Sequence, residues 1–292
     1  MTTVVMLTPQ HPEGELVDPS RPLISIEDEG LTRGDGVFET MIAVNRSIRK
    51  FDAHFERLTN SARKLQLPLP AKEHLTQALK TALENAEQAH TTTLGEEHTV
   101  KIIISRGTTA NGPHSWVTVA PTPQNTLDQR THGVKAITLP RGHDPAQDTA
   151  YPWLLAGAKT LSYAINMAVL RYVRTQGADE AIFITDDRRI LEGATSSVIV
   201  AQTINGQKTL LTPEPNHGIL PGTTQGMIFE QARKHGWELK YQELYPQDLL
   251  ESEGVWLASS VRLIAPVTHL NGTALATSQQ TTEEFLAFLA EG

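Results

Sequence analysis

The stretch from Tyr151 to Val200 constrains this chain more than any other. It opens with Tyr-Pro-Trp-Leu-Leu-Ala-Gly-Ala, eight residues without a charge, and then reaches Lys159. A helical run follows, with Asn166, Ala168, Val169, Tyr172 and Val173 fitting a helix packed on one side and Gly177 placed to end it. Ala181 to Thr185 reads as a short buried strand, Asp186-Asp187 as a turn, and Ile190-Leu191 as a resumed strand. Glu192-Gly193 interrupts that strand before Val198-Ile199-Val200 resumes it. An ammonium at the end of an apolar run is partly desolvated, and desolvation favours the neutral amine that a Schiff-base lysine needs. The alternative is a lysine that snorkels to solvent. A glycine beside an acid in a strand lets the backbone approach something closely. A carboxylate held there, as Glu192 is, can pair with a protonated ring nitrogen.

A reactive lysine together with a carboxylate for a pyridinium is the layout of a pyridoxal-phosphate enzyme. The segments Gly-Ala-Lys159-Thr-Leu-Ser-Tyr163 and Leu191-Glu192-Gly-Ala-Thr-Ser-Ser197 resemble the class IV pyridoxal-phosphate-dependent aminotransferase family. That family comprises branched-chain aminotransferases, D-amino-acid aminotransferases and aminodeoxychorismate lyases. The resemblance implies that Lys159 is linked to pyridoxal 5'-phosphate and that Glu192 partners the ring nitrogen, with Tyr163 and Ser197 beside the cofactor. It also implies a two-domain α+β fold like that of D-amino-acid aminotransferase, with the cofactor at the domain interface, and a homodimer.

A length of 292 residues admits one large domain or two of ordinary size. The polar, proline-containing stretch from Ala120 to Arg130 is the best linker in the chain. The expected division is therefore a small N-terminal α/β domain at 1–122, a linker at 123–132 and a larger cofactor-binding domain at 133–292. Hydrophobic residues at 39% and charged residues at 20% describe a folded, soluble protein, and a formal charge of −8 argues against nucleic acid or an anionic membrane as the partner. With no cysteine, thiolate catalysis and cysteine-ligated metals are excluded, and no metal is expected. There is no apolar run of about 18 residues and no basic, apolar leader, so a cytoplasmic enzyme acting on a small-molecule amine is the expectation.

Along the chain, Gly34-Asp-Gly-Val-Phe-Glu-Thr40 reads as a tight turn feeding a strand. It is also similar to the N-terminal signature of the family, which implies Phe38 beside the substrate and Thr40 in a catalytic role. Phe51 to Leu67 is the clearest helix, with Phe51, Phe55, Leu58, Ala62 and Leu65 on one face. His54, Arg57 and Ser61 form a neighbouring stripe that on its own reads as solvated. The family's His-x-x-Arg-Leu helix contacts the cofactor phosphate through its arginine, which implies Arg57, whose planar fork suits phosphate oxygens. Leu75 to Ala89 is a second helix. Thr99–Ser105 and His114–Ala120 are strands, and Arg106 at the first strand's end could hold a substrate carboxylate or lie on the surface; the resemblance places it near the substrate.

In the second half, Ile204-Asn-Gly-Gln is a hairpin signal. Gly218-Ile-Leu-Pro-Gly-Thr-Thr-Gln-Gly226 is a glycine-rich loop running into a helix, which makes either an anion site or an ordinary threonine cap. The resemblance implies Ile219 and Leu220, by their backbone N–H groups, and Thr223 as phosphate ligands. Val255 to Val267 reads as a strand with a polar interruption at Ser259-Ser260. By resemblance Ser260 completes the phosphate pocket, and the Ser-Ser-Val-Arg-Leu-Ile-Ala-Pro-Val form is similar to lyases, with Arg262 set to meet a carboxylate. Two departures stand out: Ser197 and Ser162 occupy positions where relatives carry asparagine. The expected activity is conversion of 4-amino-4-deoxychorismate to 4-aminobenzoate and pyruvate. Branched-chain or D-amino-acid transamination is the alternative, and a phosphate-binding protein the non-enzymatic one.

Overall fold

The computed structural model describes residues 2–89, 97–142, 144, 150–215 and 218–291. The chain forms two compact units. The first holds Met1–Pro123 together with Ala158–Tyr163; the second holds Gln124–Gly157 and Ala164–Gly292. A single cut was expected from the sequence, but the chain returns to the first unit for the six residues around Lys159.

The first unit is built on an antiparallel six-stranded sheet in the order β2-β1-β6-β5-β3-β4. Its strands are β1 (Thr3–Leu7), β2 (Glu15–Val17), β3 (Gly36–Val44), β4 (Ser47–Ile48), β5 (Glu97–Thr108) and β6 (Gly112–Pro121). The short helix α1 (Glu29–Arg33) precedes β3, capped by the Asp28 side chain, which accepts from Leu31 N at 3.0 Å. Two longer helices, α2 (Phe51–Lys64) and α3 (Lys72–Ala89), cover one face of the sheet. Leu75, Ala78, Leu79, Ala82, Leu83 and Ala86 recur at helical spacing on α3 and are buried with Val5, Met41, Val100, Ile102 and Val117 of the sheet. Residues 36, 38 and 40 of β3 face away from these helices, because alternate strand residues point to opposite faces.

The second unit carries a mixed sheet in the order β12-β11-β10-β13-β14-β7-β8-β9, with β15 (Thr273–Ala274) paired to β14. Here β7 is Val134–Pro140, β8 Glu180–Ile184, β9 Ile190–Gly193, β10 Ser197–Ile204, β11 Gln207–Thr212, β12 Glu238–Tyr241, β13 Gly254–Ser259 and β14 Leu263–Leu270. The Asn205-Gly206 turn joins β10 to β11 with both residues at positive φ, the geometry of a tight primed hairpin. The described helices are α4 (Gln124–His132), α5 (Ala164–Thr175), α6 (Thr223–Lys234), α7 (Pro246–Leu250) and α8 (Gln279–Glu291), with a 3-10 turn at Pro152–Leu154. Trp256 buries its ring against Phe285 of α8 and donates its indole N–H to Thr282 at 2.9 Å.

Two local expectations change. The stretch expected to be a linker folds as α4 immediately after Pro121-Thr-Pro123. The polar interruption expected at Ser259-Ser260 is a hairpin turn between β13 and β14.

Candidate active site

In the first unit the lysine segment lies along the free N-terminal edge of β3. Lys159 O accepts from Phe38 N at 3.1 Å, Gly36 O accepts from Leu161 N at 2.9 Å, and Thr160 bridges Val37. Ser61 of α2 accepts from Lys159 N at 3.0 Å, fixing the segment from the other side. The two glycines of the Gly34-Asp-Gly36 turn are explained by this approach. A Cβ on Gly36 would lie 2.5 Å from both Ile104 O and the Leu161 side chain, and one on Gly34 would lie 3.1 Å from the Ser162 backbone. Lys159 is thereby the cross-strand neighbour of Phe38. Its Nζ sits 4.3 Å from the centre of the Phe38 ring and 5.6 Å from that of Tyr163, and the two rings meet edge to face at 5.3 Å. Thr40 follows on the same face of β3, half-buried and opposite Lys101.

The stripe on α2 that reads as solvated is buried instead. Arg57 donates from Nε and Nη2 to Glu39 at 2.7 and 2.8 Å, and His54 Nδ1 lies 2.7 Å from the same carboxylate. Glu39 is wholly buried on β3. Burial alone would push its carboxyl up; the hydrogen bonds from Arg57 and His54 more than offset this and hold it down, at about 2. Glu39 was not singled out from the sequence, although it stands in the Gly34–Thr40 motif: alternation along β3 puts it on the helix-facing side, and an acid there needs a cationic partner. Arg106 differs from the expectation of an open fork. It donates to both Asp35 oxygens, at 2.7 and 3.0 Å, and to Leu65 O at 2.7 Å, so it closes the C-terminal end of α2, and its bond to Asp35 raises its pKa.

In the second unit, Glu192 sits in β9, and its Oε2 accepts from Leu220 N at 3.1 Å. The loop after Glu192 is held by Asn166 of α5, which donates to Ala194 O at 2.7 Å, and by Gly193 N, which donates to Ser196 O at 2.7 Å. Ile219 is buried against Leu191 and Phe183. The glycine-rich loop then enters α6 through Gly222, an N-cap with no side-chain capping bond, so threonine capping is not the role of Thr223. A Cβ on Gly222 would lie 2.2 Å from Ser197 Oγ, and Thr223 Oγ1 lies 3.4 Å from Ser260 Oγ. Ser197, Gly222, Thr223 and Ser260 are thus gathered around the start of a twelve-residue helix, where backbone N–H groups and the helix dipole favour an anion. Arg262, like Arg106, has an internal acid as its partner: its Nη1 forms a 2.8 Å ion pair with the wholly buried Glu180, off hydrogen-bond alignment.

An amine lodged against two aromatic rings, a carboxylate held by a backbone N–H and an anion cradle at a helix start are the protein parts of a pyridoxal-phosphate enzyme. The cradle suits a phosphate by its donors: Gly222, where a Cβ would lie 2.2 Å from Ser197 Oγ, lets that hydroxyl approach the start of the helix beside Thr223 and Ser260. Residues 36–270 match the family Amino-transferase class IV, and the chain belongs to it. It is 42% identical over 267 residues to the bifunctional aminodeoxychorismate lyase / D-amino acid transaminase of Mycobacterium tuberculosis, covering 90% of this chain and 91% of that protein. A hypothetical aminotransferase from the same organism, solved in its PLP-bound form, superposes with a TM-score of 0.90 at 39% identity, covering 99% of this chain and 97% of that one. A fold IV-transaminase from Curtobacterium pusillum gives 0.90 at 34% identity, covering 99% and 98%. As a member of this family the chain is a pyridoxal-phosphate-dependent enzyme. Among the described residues no helix is long and apolar enough to cross a membrane, and no cluster of three or more acids and histidines could hold a metal.

Proposed function

We propose that the enzyme splits 4-amino-4-deoxychorismate into 4-aminobenzoate and pyruvate, with D-amino-acid transamination as a second outcome of the same residues. The observation that carries this reading is the placement of the Lys159 amine beside Phe38 and Tyr163, in a chain whose 42%-identical relative is named for both activities. Bound pyridoxal phosphate supplies an aldehyde for the substrate amine and a ring that accepts electrons.

The chain's own residues do the rest. Ser197, Thr223, Ser260 and the backbone of Ile219 and Leu220 are the proposed phosphate ligands of the second unit, and Arg57 is the proposed phosphate ligand of the first. Leu220 N–H also aims the Glu192 carboxylate, which keeps the ring nitrogen protonated. Lys159 Nζ takes the proton from the amine-bearing carbon of the substrate. The neighbouring carbon–oxygen bond then breaks, pyruvate leaves as its enol, and the substrate ring becomes aromatic. Thr40 Oγ, on the same face as Phe38, donates a proton to the departing enol oxygen. Phe38 flanks the substrate ring. For transamination the Lys159 amine would carry the same proton, and bound pyridoxal phosphate would supply its acceptor.

The deciding assay gives purified enzyme aminodeoxychorismate and measures 4-aminobenzoate and pyruvate, beside D-alanine with 2-oxoglutarate. Equimolar 4-aminobenzoate and pyruvate is the expected result; transamination with no 4-aminobenzoate would overturn the lyase reading. The working unit is proposed to be a homodimer. Supporting this, Trp153 and Leu154 of the 3-10 turn and Ile165, Met167 and Tyr172 of α5 are large apolar side chains left exposed in the single chain, which a second copy would cover. Light scattering at micromolar concentration should report twice the 32.1 kDa chain mass; a monomer would contradict it.

A further inference from the structure

The stretch expected to be a linker carries a residue that reaches the cradle. Arg130, near the end of α4, donates from Nη2 to Val261 O at 2.6 Å and from Nε to Arg262 O at 3.1 Å. These are consecutive carbonyls of the turn between β13 and β14, the turn whose first residue is Ser260. The turn is strained. Leu263, which closes it, has a φ of +62°, a left-handed conformation that glycine adopts at little cost and leucine does not. Leu263 is also buried, so its side chain is tied to the core while its backbone is held in the disfavoured region. On the other side of the turn, Arg262 is drawn to Glu180 by their ion pair. A turn loaded in this way needs its carbonyls fixed if Ser260 is to stay 3.4 Å from Thr223. A guanidinium is suited to the task, because its rigid planar fork holds two carbonyls in a fixed mutual geometry, which the single, freely rotating nitrogen of an ammonium does not impose.

We propose that Arg130 is a positioning residue that holds the β13–β14 turn so that Ser260 completes the phosphate end of the cofactor site. This rests on the reading of Ser260 as a phosphate ligand. Arg130 touches neither cofactor nor substrate; it acts through the turn.

The test compares dissociation constants for pyridoxal phosphate and for pyridoxal, which lacks the phosphate, by fluorescence titration. Arg130→Gln should weaken pyridoxal phosphate about three- to tenfold, the worth of one displaced hydrogen bond, and leave pyridoxal unchanged. Arg130→Lys, which keeps the charge and one carbonyl contact, should recover part of the loss and provides a second reading if the glutamine variant folds poorly. In a Ser260→Ala background, Arg130→Gln should add nothing. Equal weakening of both ligands, or no weakening, would overturn the positioning role, as would full additivity with Ser260→Ala. If Ser260→Ala alone binds pyridoxal phosphate normally, the phosphate reading of Ser260 falls, which is a different result from an Arg130 failure with a sensitive Ser260.

Discussion

The unit that bears the lysine and the unit that bears Glu192 hold their functional groups by opposite means. In the first, a backbone ladder ties Lys159 to β3, and behind it lies a buried charge cluster of Glu39, His54 and Arg57 with contacts of 2.7–2.8 Å. In the second, the cradle is made of hydroxyls, a glycine and backbone N–H groups, at 3.1–3.4 Å. The difference follows from where charge comes from. Arg57 is a cation inside the protein and needs a permanent counter-charge, which Glu39 supplies; a buried ion pair left half-complete is severely penalised. On the proposed reading, the cradle in the second unit would receive its charge with the phosphate, so neutral dipoles suffice and do not repel one another beforehand.

Breaking the second arrangement should have the largest effect on chemistry. Glu192→Gln keeps the shape and can still accept from Leu220 N, but it removes the charge opposite the ring nitrogen. Cofactor should remain bound, while turnover falls by about a hundredfold or more. Glu192→Asp, which keeps the charge with a shorter reach, should fall less. A glutamine variant that turns over at the native rate with an unchanged cofactor spectrum would remove Glu192 from the mechanism.

Much of this comparison was legible in the sequence, and the gaps are instructive. Glu192, the glycine-rich loop and the lysine were visible because each combines a reactive group with local backbone signals. The α2 stripe was misread because helical periodicity shows which residues share a face but not that a buried acid on β3 will meet them. The internal partners of Arg106 and Arg262, Asp35 and Glu180, were not legible because each lies far away in sequence. The return of residues 158–163 to the first unit had a trace in the two glycines of Gly34-Asp-Gly36, which make room for that segment, but a glycine does not say what approaches it.

A prediction of middle size separates the two jobs of Arg57. Arg57→Ala strands the Glu39 carboxylate and should destabilise the fold by roughly 3–5 kcal/mol. Pairing it with Glu39→Gln removes the stranded charge and should restore most of the stability. The double variant should still bind pyridoxal phosphate about ten- to a hundredfold more weakly than the native enzyme. Native affinity in the double variant would reject Arg57 as a phosphate ligand and leave it a purely internal cation.

The smallest of the three effects, complete at neutral pH and vanishing in acid, concerns Glu39. Its folded value is about 2 against an ordinary 4.5, so its ionised form stabilises the fold above about pH 4.5. That contribution, on the order of 3 kcal/mol, is lost progressively as pH falls from about 4.5 to about 2. Urea midpoints for the native chain and Glu39→Gln should therefore converge across that range. A gap that does not change with pH would show that the cluster is not held together by the carboxylate charge.

The central claim is that Lys159, presented by its strand against Phe38 and Tyr163, is the residue that takes up the cofactor. Borohydride reduction of the enzyme incubated with pyridoxal phosphate, followed by peptide mass mapping, tests it most directly. The account predicts one pyridoxyl-phosphate adduct, on the peptide containing Lys159, and none in Lys159→Ala. An adduct on another lysine, or a colourless protein that takes up no label, would contradict it.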